Sequence, residues 1–356
     1  MDRQSEKYCA YVQILKEELI TAMGCTEPIA LAYAAARCRE ILGKLPEKIS
    51  VEVSGSIIKN VKSVVVPNTG GMKGIQAAVA AGIVAGKAEK RLEVISEVTE
   101  EECREIQQYA EQTEIEIYHL NSEHVFDILI TAFCGEDTAK VRITNYHTNI
   151  VLEEKNGKTL LETMVEGDHE EGLTDRSLLD MEDIWDFAMT CDIADVKDIL
   201  DHQVNCNMAI AEEGMKHPYG ACIGQVLLDA WGDGIRNRAC AKAAAGSDAR
   251  MSGCELPVVI NSGSGNQGIT CSVPVVEYAK ELQSGEEKMY RALTLSNLVA
   301  IHQKTGIGRL SAFCGAVCAG IAAGTGIAYL RGGNYKEVTH TIVNGLAIVS
   351  GIICDG

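Results

Sequence analysis

Fourteen cysteines are spread over 356 residues, and three share a local pattern: Cys25 in MGCTEP, Cys314 in AFCGA and Cys354 in IICDG each lie in a glycine-flanked context at the edge of a helix-like run. A glycine beside a sulfur ligand lets the backbone approach a bulky inorganic cluster and leaves N–H groups to bond its sulfides. No C-x-x-C pair is present, which argues against zinc-ribbon and ferredoxin sites. Free cysteine is also a common small core residue. Metal binding, catalysis and packing therefore all stay open for any one of the fourteen.

Two glycine-rich loops offer a second chemistry. NTGGMKG (68–74) follows the β-branched run SVVVP and leads into a helix pattern from Ile75. A strand, a Gly-Gly turn and a helix start present free N–H groups and a positive dipole end to an anion. The spacing is not that of a P-loop, so a small carboxylate suits it better than a nucleotide. Lys73 adds a cation or a base. The second loop, SGSGNQG (262–268), satisfies G-x-G-x-x-G through Gly263, Gly265 and Gly268 after the strand-like PVVIN. A dinucleotide fold also needs a long helix, a second strand and an acidic ribose ligand. Pro274 and the polar SGEEKM stretch read against that, leaving a loop whose amides converge on a carboxylate or phosphate.

These residues need elements to hold them. From Lys7 to Leu42 the pattern is helical and alanine-rich, broken by GCTEP; a glycine before and a proline after Cys25 place it at a helix end. Between Pro46 and Glu162, β-branched alternation marks KISVEVSG, SVVVP, TEIEIYHL, AKVRIT and TNIVLEE, the last closed by the hairpin signal Asn156-Gly157. Helix-like segments at 71–86 and 99–111 lie between them, the second opening with the capping-box pair Thr99 and Glu102. The acidic stretch 166–176 reads as a linker. From Leu178 onward the pattern is helical except for the strand-like 256–260. The expected fold class is α+β: a mainly helical catalytic domain of residues 1–45 and 178–356, with an inserted smaller α/β domain, linker included, at 46–177.

Composition narrows the function class. An apolar content of 46% with 23% charged residues is ordinary for a globular chain. The net charge of −18 without a basic cluster excludes nucleic acid as a partner. The charged N-terminus does not read as a secretory signal, so a cytoplasmic protein is expected, where disulfides are not the purpose of the cysteines. The apolar stretches 75–85 and 313–330 are too rich in Gly and Ala for membrane spans and read as buried helices. The sequence leaves room for a homo-oligomer. It stops at CDG directly after an apolar helix pattern, which is expected of a shortened piece.

Taken in order, GCTEP, NTGGMKG, SGSGNQG, TGIGRLSAFCGA and GIICDG resemble the L-cysteine desulfidases, a family related to the alpha-subunit type of iron–sulfur L-serine dehydratase, across almost the whole chain. In that family the CDG motif runs on into further small-residue and cysteine-containing sequence. The resemblance implies a [4Fe–4S] cluster held by Cys25, Cys314 and Cys354, with the other eleven cysteines left as packing. Three thiolates leave one iron open, so the implied reaction is a non-redox β-elimination of an amino-acid substrate, L-cysteine, to pyruvate, ammonia and sulfide. Asn68, Thr69, Gly70 and Gly71 with Ser262, Ser264, Asn266 and Gln267 are the candidate substrate contacts. Arg309 is expected to pair with the carboxylate or to orient the Cys314 loop. Lys73, if desolvated, is the first candidate for the Cα base, with His147 and His302 as alternatives. An L-serine dehydratase and a metal-free small-anion-binding protein are the competing readings.

Overall fold

The computed structural model describes residues 1–164, 173–308, 313–349 and 352. The fold is α+β and divides into two compact units. A helical unit gathers Met1–Thr21, Gly172–Ser252 and Leu256–Cys354, and a sheet-bearing unit gathers Ala22–Glu171 with Gly253–Glu255. Helix α1 (Glu6–Glu18) opens the helical unit, and β1 (Thr21–Met23) straddles the division. The sheet-bearing unit follows with α2 (Thr26–Leu42), β2 (Lys48–Val53), α3 (Gly55–Val61), α4 (Gly74–Ala85), α5 (Glu100–Gln112), β3 (Glu114–His119), β4 (Asp127–Cys134), β5 (Asp137–Thr144), β6 (Ile150–Lys155) and β7 (Lys158–Glu162). The helical unit resumes with α6 (Met181–Thr190), α7 (Lys197–Lys216), α8 (Ile223–Trp231), α9 (Ile235–Met251), β8 (Pro257–Val259), α10 (Gly265–Glu281), α11 (Glu286–Thr305), α12 (Ala316–Leu330) and α13 (Tyr335–Val349).

Six strands form one mixed sheet in the order β3-β2-β4-β5-β6-β7, with β2 and β3 parallel and the other neighbours antiparallel. The alternation in KISVEV buries Ile49, Val51 and Val53, and the register sets Val51 opposite Ile130 and Val53 opposite Ile128. The alanine-rich middle of α2 has no charged residue to offer water. Every residue from Ile29 to Ala36 is buried, against β4 and β5 and against α4. Where α2 and α4 cross, a Cβ on Gly82 would lie 2.1 Å from the Ala32 carbonyl oxygen. Residues 22–45 therefore belong with the sheet, which moves the domain boundary expected after residue 45 to residue 21. SVVVP is not a ladder strand: Val65 makes a single antiparallel bridge with Lys73. The strand that the alternation reading passed over is β4. The capping box at Thr99 and Glu102 is formed, and Asn156 and Gly157 take the left-handed conformation of a tight hairpin turn (φ 50° and 75°).

In the helical unit α10 is central, packed by α7, α9, α11 and α12. It continues through Pro274, which the sequence reading weighed against a long helix. It is followed by α11 and not by a strand, so the glycine pattern before it does not sit in a dinucleotide fold. Most of the expected linker lies outside the described residues. Its end is clamped to α1: the Thr174 N–H donates to Glu17 Oε2 at 3.1 Å and Arg176 Nη2 donates to Glu18 Oε1 at 2.9 Å. Among the described residues no helix is long and apolar enough to cross a membrane.

Candidate functional site

The sheet-bearing unit brings two of the predicted motifs together. Cys25 is buried and is the N-cap residue of α2. Pro28 stands in the first helical turn, where a missing N–H costs nothing. Gly24 turns the chain at φ 66° and lies flat on Pro67, so that a Cβ there would sit 2.3 Å from Pro67 Cγ. The next residue, Asn68, donates from Nδ2 to the Ile95 carbonyl at 2.8 Å and reaches Met23 Sδ at 3.5 Å. The loop 67–71 is closed at its base, because the Val66 N–H donates to Met72 O at 2.9 Å and the Gly74 N–H to Val64 O at 3.2 Å.

Within this loop, side chains shape and glycines expose. Thr69 is fully buried and its hydroxyl donates to the Val66 carbonyl at 2.7 Å. Gln107 Nε2 donates to the Thr69 carbonyl at 3.2 Å. Asn68 and Thr69 are thus occupied in holding the loop, whereas Gly70 and Gly71 (φ 70° and 87°) present bare backbone to solvent. Lys73 is exposed. The desolvation on which its candidacy as a base depends is not seen at this position. His147 is buried in the turn after β5 with its ring edge-on to Phe126 at 4.8 Å, the environment of a packed histidine.

The helical unit builds the other loop from a buried amide network. Asn207 Oδ1 accepts from the Val259 N–H at 2.8 Å and its Nδ2 donates to the Val259 carbonyl at 3.1 Å, which fixes β8. Asn261 Nδ2 donates to Asn297 Oδ1 at 3.0 Å, and Asn297 exchanges hydrogen bonds with Gln203 at 2.7 and 2.9 Å. From that anchor Ser262 and Gly263 make a tight left-handed turn (φ 49° and 80°), closed by paired hydrogen bonds between Asn261 and Ser264 at 3.1 Å. The Ser262 hydroxyl is buried and donates to Asn261 Oδ1 at 2.9 Å, so it stiffens the turn. Ser264 caps α10 without a side-chain cap bond. Asn266 and Gln267 lie in the first turn of α10.

Gln267 joins this loop to the cysteine segment. Its side-chain amide packs on Gly315, where a Cβ would sit 2.3 Å from Gln267 Cδ. Gly315 is the N-cap of α12 and follows Cys314, which is half-buried. Two residues here escaped the sequence reading. Arg250, buried at the end of α9, donates from Nη1 to Asn266 Oδ1 at 3.0 Å. Lys304 is buried in the last turn of α11, and its charge favours the thiolate of Cys318, a thiol that burial pushes up. Neither carries a local motif; both are charged residues whose burial only the fold reveals. His302 lies two residues from Lys304, about 200° around the helix. It faces the Asp180 side, where burial lowers its pKa and Asp180 opposes that shift. That orientation does not support His302 as a base beside Cys314. Arg309 and Cys354 lie outside the described residues.

Residues 89–356 match the serine dehydratase alpha chain family. The chain belongs to that family. It is 60% identical to a UPF0597 protein of Desulfitobacterium hafniense over 100% of this chain and 83% of that protein. A UPF0597 protein of Lachnoclostridium phytofermentans is 49% identical over 98% of this chain and 84% of its own length, and one of Fusobacterium nucleatum is 45% identical over 97% and 82%. The serine dehydratase match includes Cys314 and SGSGNQG, and the relatives extend it over Cys25 and NTGGMKG.

Cys25 and Cys314 both stand at helix N-termini, where the dipole and the free N–H groups favour a negative sulfur. Each adjoins a glycine pressed on a glycine-rich loop. No disulfide links the thirteen cysteines among the described residues. Among those residues no three His, Cys, Asp or Glu converge on a metal position, and the third cysteine of the implied set, Cys354, lies outside them.

Proposed function

We propose that the protein is an iron–sulfur-dependent lyase that converts L-cysteine and water to pyruvate, ammonia and hydrogen sulfide without net redox change. The observation that supports this reading is that Cys25 caps α2, Cys314 immediately precedes the cap of α12, and each adjoins a glycine packed against a glycine-rich loop. Held by Cys25, Cys314 and Cys354, a [4Fe–4S] cluster would supply a Lewis-acidic iron with an open position for the substrate sulfur. The first turn of α10, with Asn266 and Gln267, takes the carboxylate and ammonium and aims the Cβ–S bond. The Cα proton leaves to a base, the Cβ–S electron pair leaves with sulfide, and the resulting aminoacrylate hydrolyses to pyruvate and ammonia.

The family description favours one second reading, dehydration of L-serine at the same site. Anaerobic reconstitution with iron and sulfide, followed by an absorbance spectrum and pyruvate release from each amino acid, separates the two. We expect a coloured protein that turns over L-cysteine faster. Faster L-serine turnover overturns the substrate assignment, and a protein that stays colourless overturns the lyase. Cys25→Ala, Cys314→Ala and Cys354→Ala should each lose bound iron and at least about a hundredfold of activity, while Cys9→Ala, on the exposed side of α1, retains both.

A further inference from the structure

We propose that Arg250 is the positioning residue that makes the α10 N-terminus a receptor for the α-carboxylate of a free amino acid, an inference that rests on the amino-acid substrate of the proposed function. Arg250 is 3% exposed, and its guanidinium lies against the Gly265 backbone: a Cβ at 265 would sit 2.3 Å from Nε and 2.8 Å from Cζ. Its Nη1 donates to Asn266 Oδ1 at 3.0 Å. A guanidinium can only donate. It therefore decides which way the Asn266 amide faces, oxygen towards the arginine and both Nδ2 hydrogens away from it. Those donors join the N–H groups of Gly265, Asn266 and Gln267, which a first turn leaves without intrahelical acceptors, at the positive end of a 17-residue helix.

An independent observation at the same place points to a ligand. Gln267 is 5% exposed, and its Oε1 is buried with no hydrogen-bond partner among the described residues. A buried acceptor left without a donor is costly, and the α-ammonium of an amino acid is a donor that satisfies it. Carboxylate donors and an ammonium acceptor on adjacent residues match a zwitterion. A phosphate would use only the donors.

Calorimetric titration of the wild-type chain tests this with L-alanine, which has both charged groups and no leaving group, and with L-alaninamide, which lacks the carboxylate. L-alanine should bind at least about tenfold more tightly. Asn266→Asp keeps Arg250 paired but replaces the Nδ2 donors with an anionic oxygen, and should lose that preference without a fall in melting temperature. Arg250→Lys keeps the charge and loses the planar fork; it should raise the Kd for L-alanine and leave that for L-alaninamide unchanged. Equal affinities in the wild type, no binding of L-alanine, or a preference undiminished in both variants overturns the assignment. A protein that releases pyruvate from L-cysteine yet fails these titrations keeps the reaction and loses the role of Arg250. One that passes them without releasing pyruvate keeps that role and loses the reaction.

Discussion

At the scale of single residues, glycine was legible and buried charge was not. Gly24 and Gly263 answer a local demand, a left-handed turn, whereas Gly315 answers a distant one, the Gln267 side chain packed on its backbone. Arg250 serves Asn266 from another helix, and no periodicity links the two. Lys73 is a candidate base only if desolvated, and local sequence does not reveal that it is exposed. His302 has a measurable signature of its own. Its folded pKa is below the ordinary 6.5, mainly through burial, so above that pH both states are neutral and no stability is lost. Below it the unfolded chain takes up the proton first, and stability declines as pH falls towards the folded value. His302→Gln should flatten that decline, which urea midpoints at about pH 7.5 and about pH 5.5 will read. An equal loss of midpoint in variant and wild type would refute it.

At the scale of elements, the helices and hairpins with local chemistry were readable: the capping box that starts α5, the Asn-Gly turn between β6 and β7, the small-residue runs of α4 and α12. Long-range pairing was not. SVVVP has the composition of a strand and finds one bridge, whereas β4 holds the middle of the sheet between β2 and β5. Helix α2 shows why the boundary moved. A helix whose middle is apolar all round has to be covered on several sides, and the sheet together with α4 does so. The α2–α4 crossing gives a direct test. Gly82→Ala forces a methyl to within 2.1 Å of the Ala32 carbonyl oxygen, and the helices have to separate. We expect a loss of about 1–3 kcal/mol, seen as a lower melting temperature; an unchanged melting temperature would show that the crossing yields freely.

At the scale of the whole molecule, the wide range of cysteine environments explains why composition alone could not choose among them. Cys9 and Cys240 are exposed, while burial pushes the Cys38 and Cys271 thiols up to about 12. Thiol titration of the native, metal-free protein should therefore label Cys9 and Cys240 within the fast phase and leave Cys38 and Cys271 unmodified until denaturant is added. Fast labelling of Cys271 would contradict the packing of α10. The amide chain from Gln203 through Asn297 to Asn261 reaches from α7 to α11 and ends at the turn that begins α10. In evolutionary terms that turn is not free to drift alone. A change at Gln203 strips Asn297 of a partner, and a change at Asn297 costs Asn261 its side-chain acceptor, so a neutral path through sequence space has to carry α7, α11 and the loop along together.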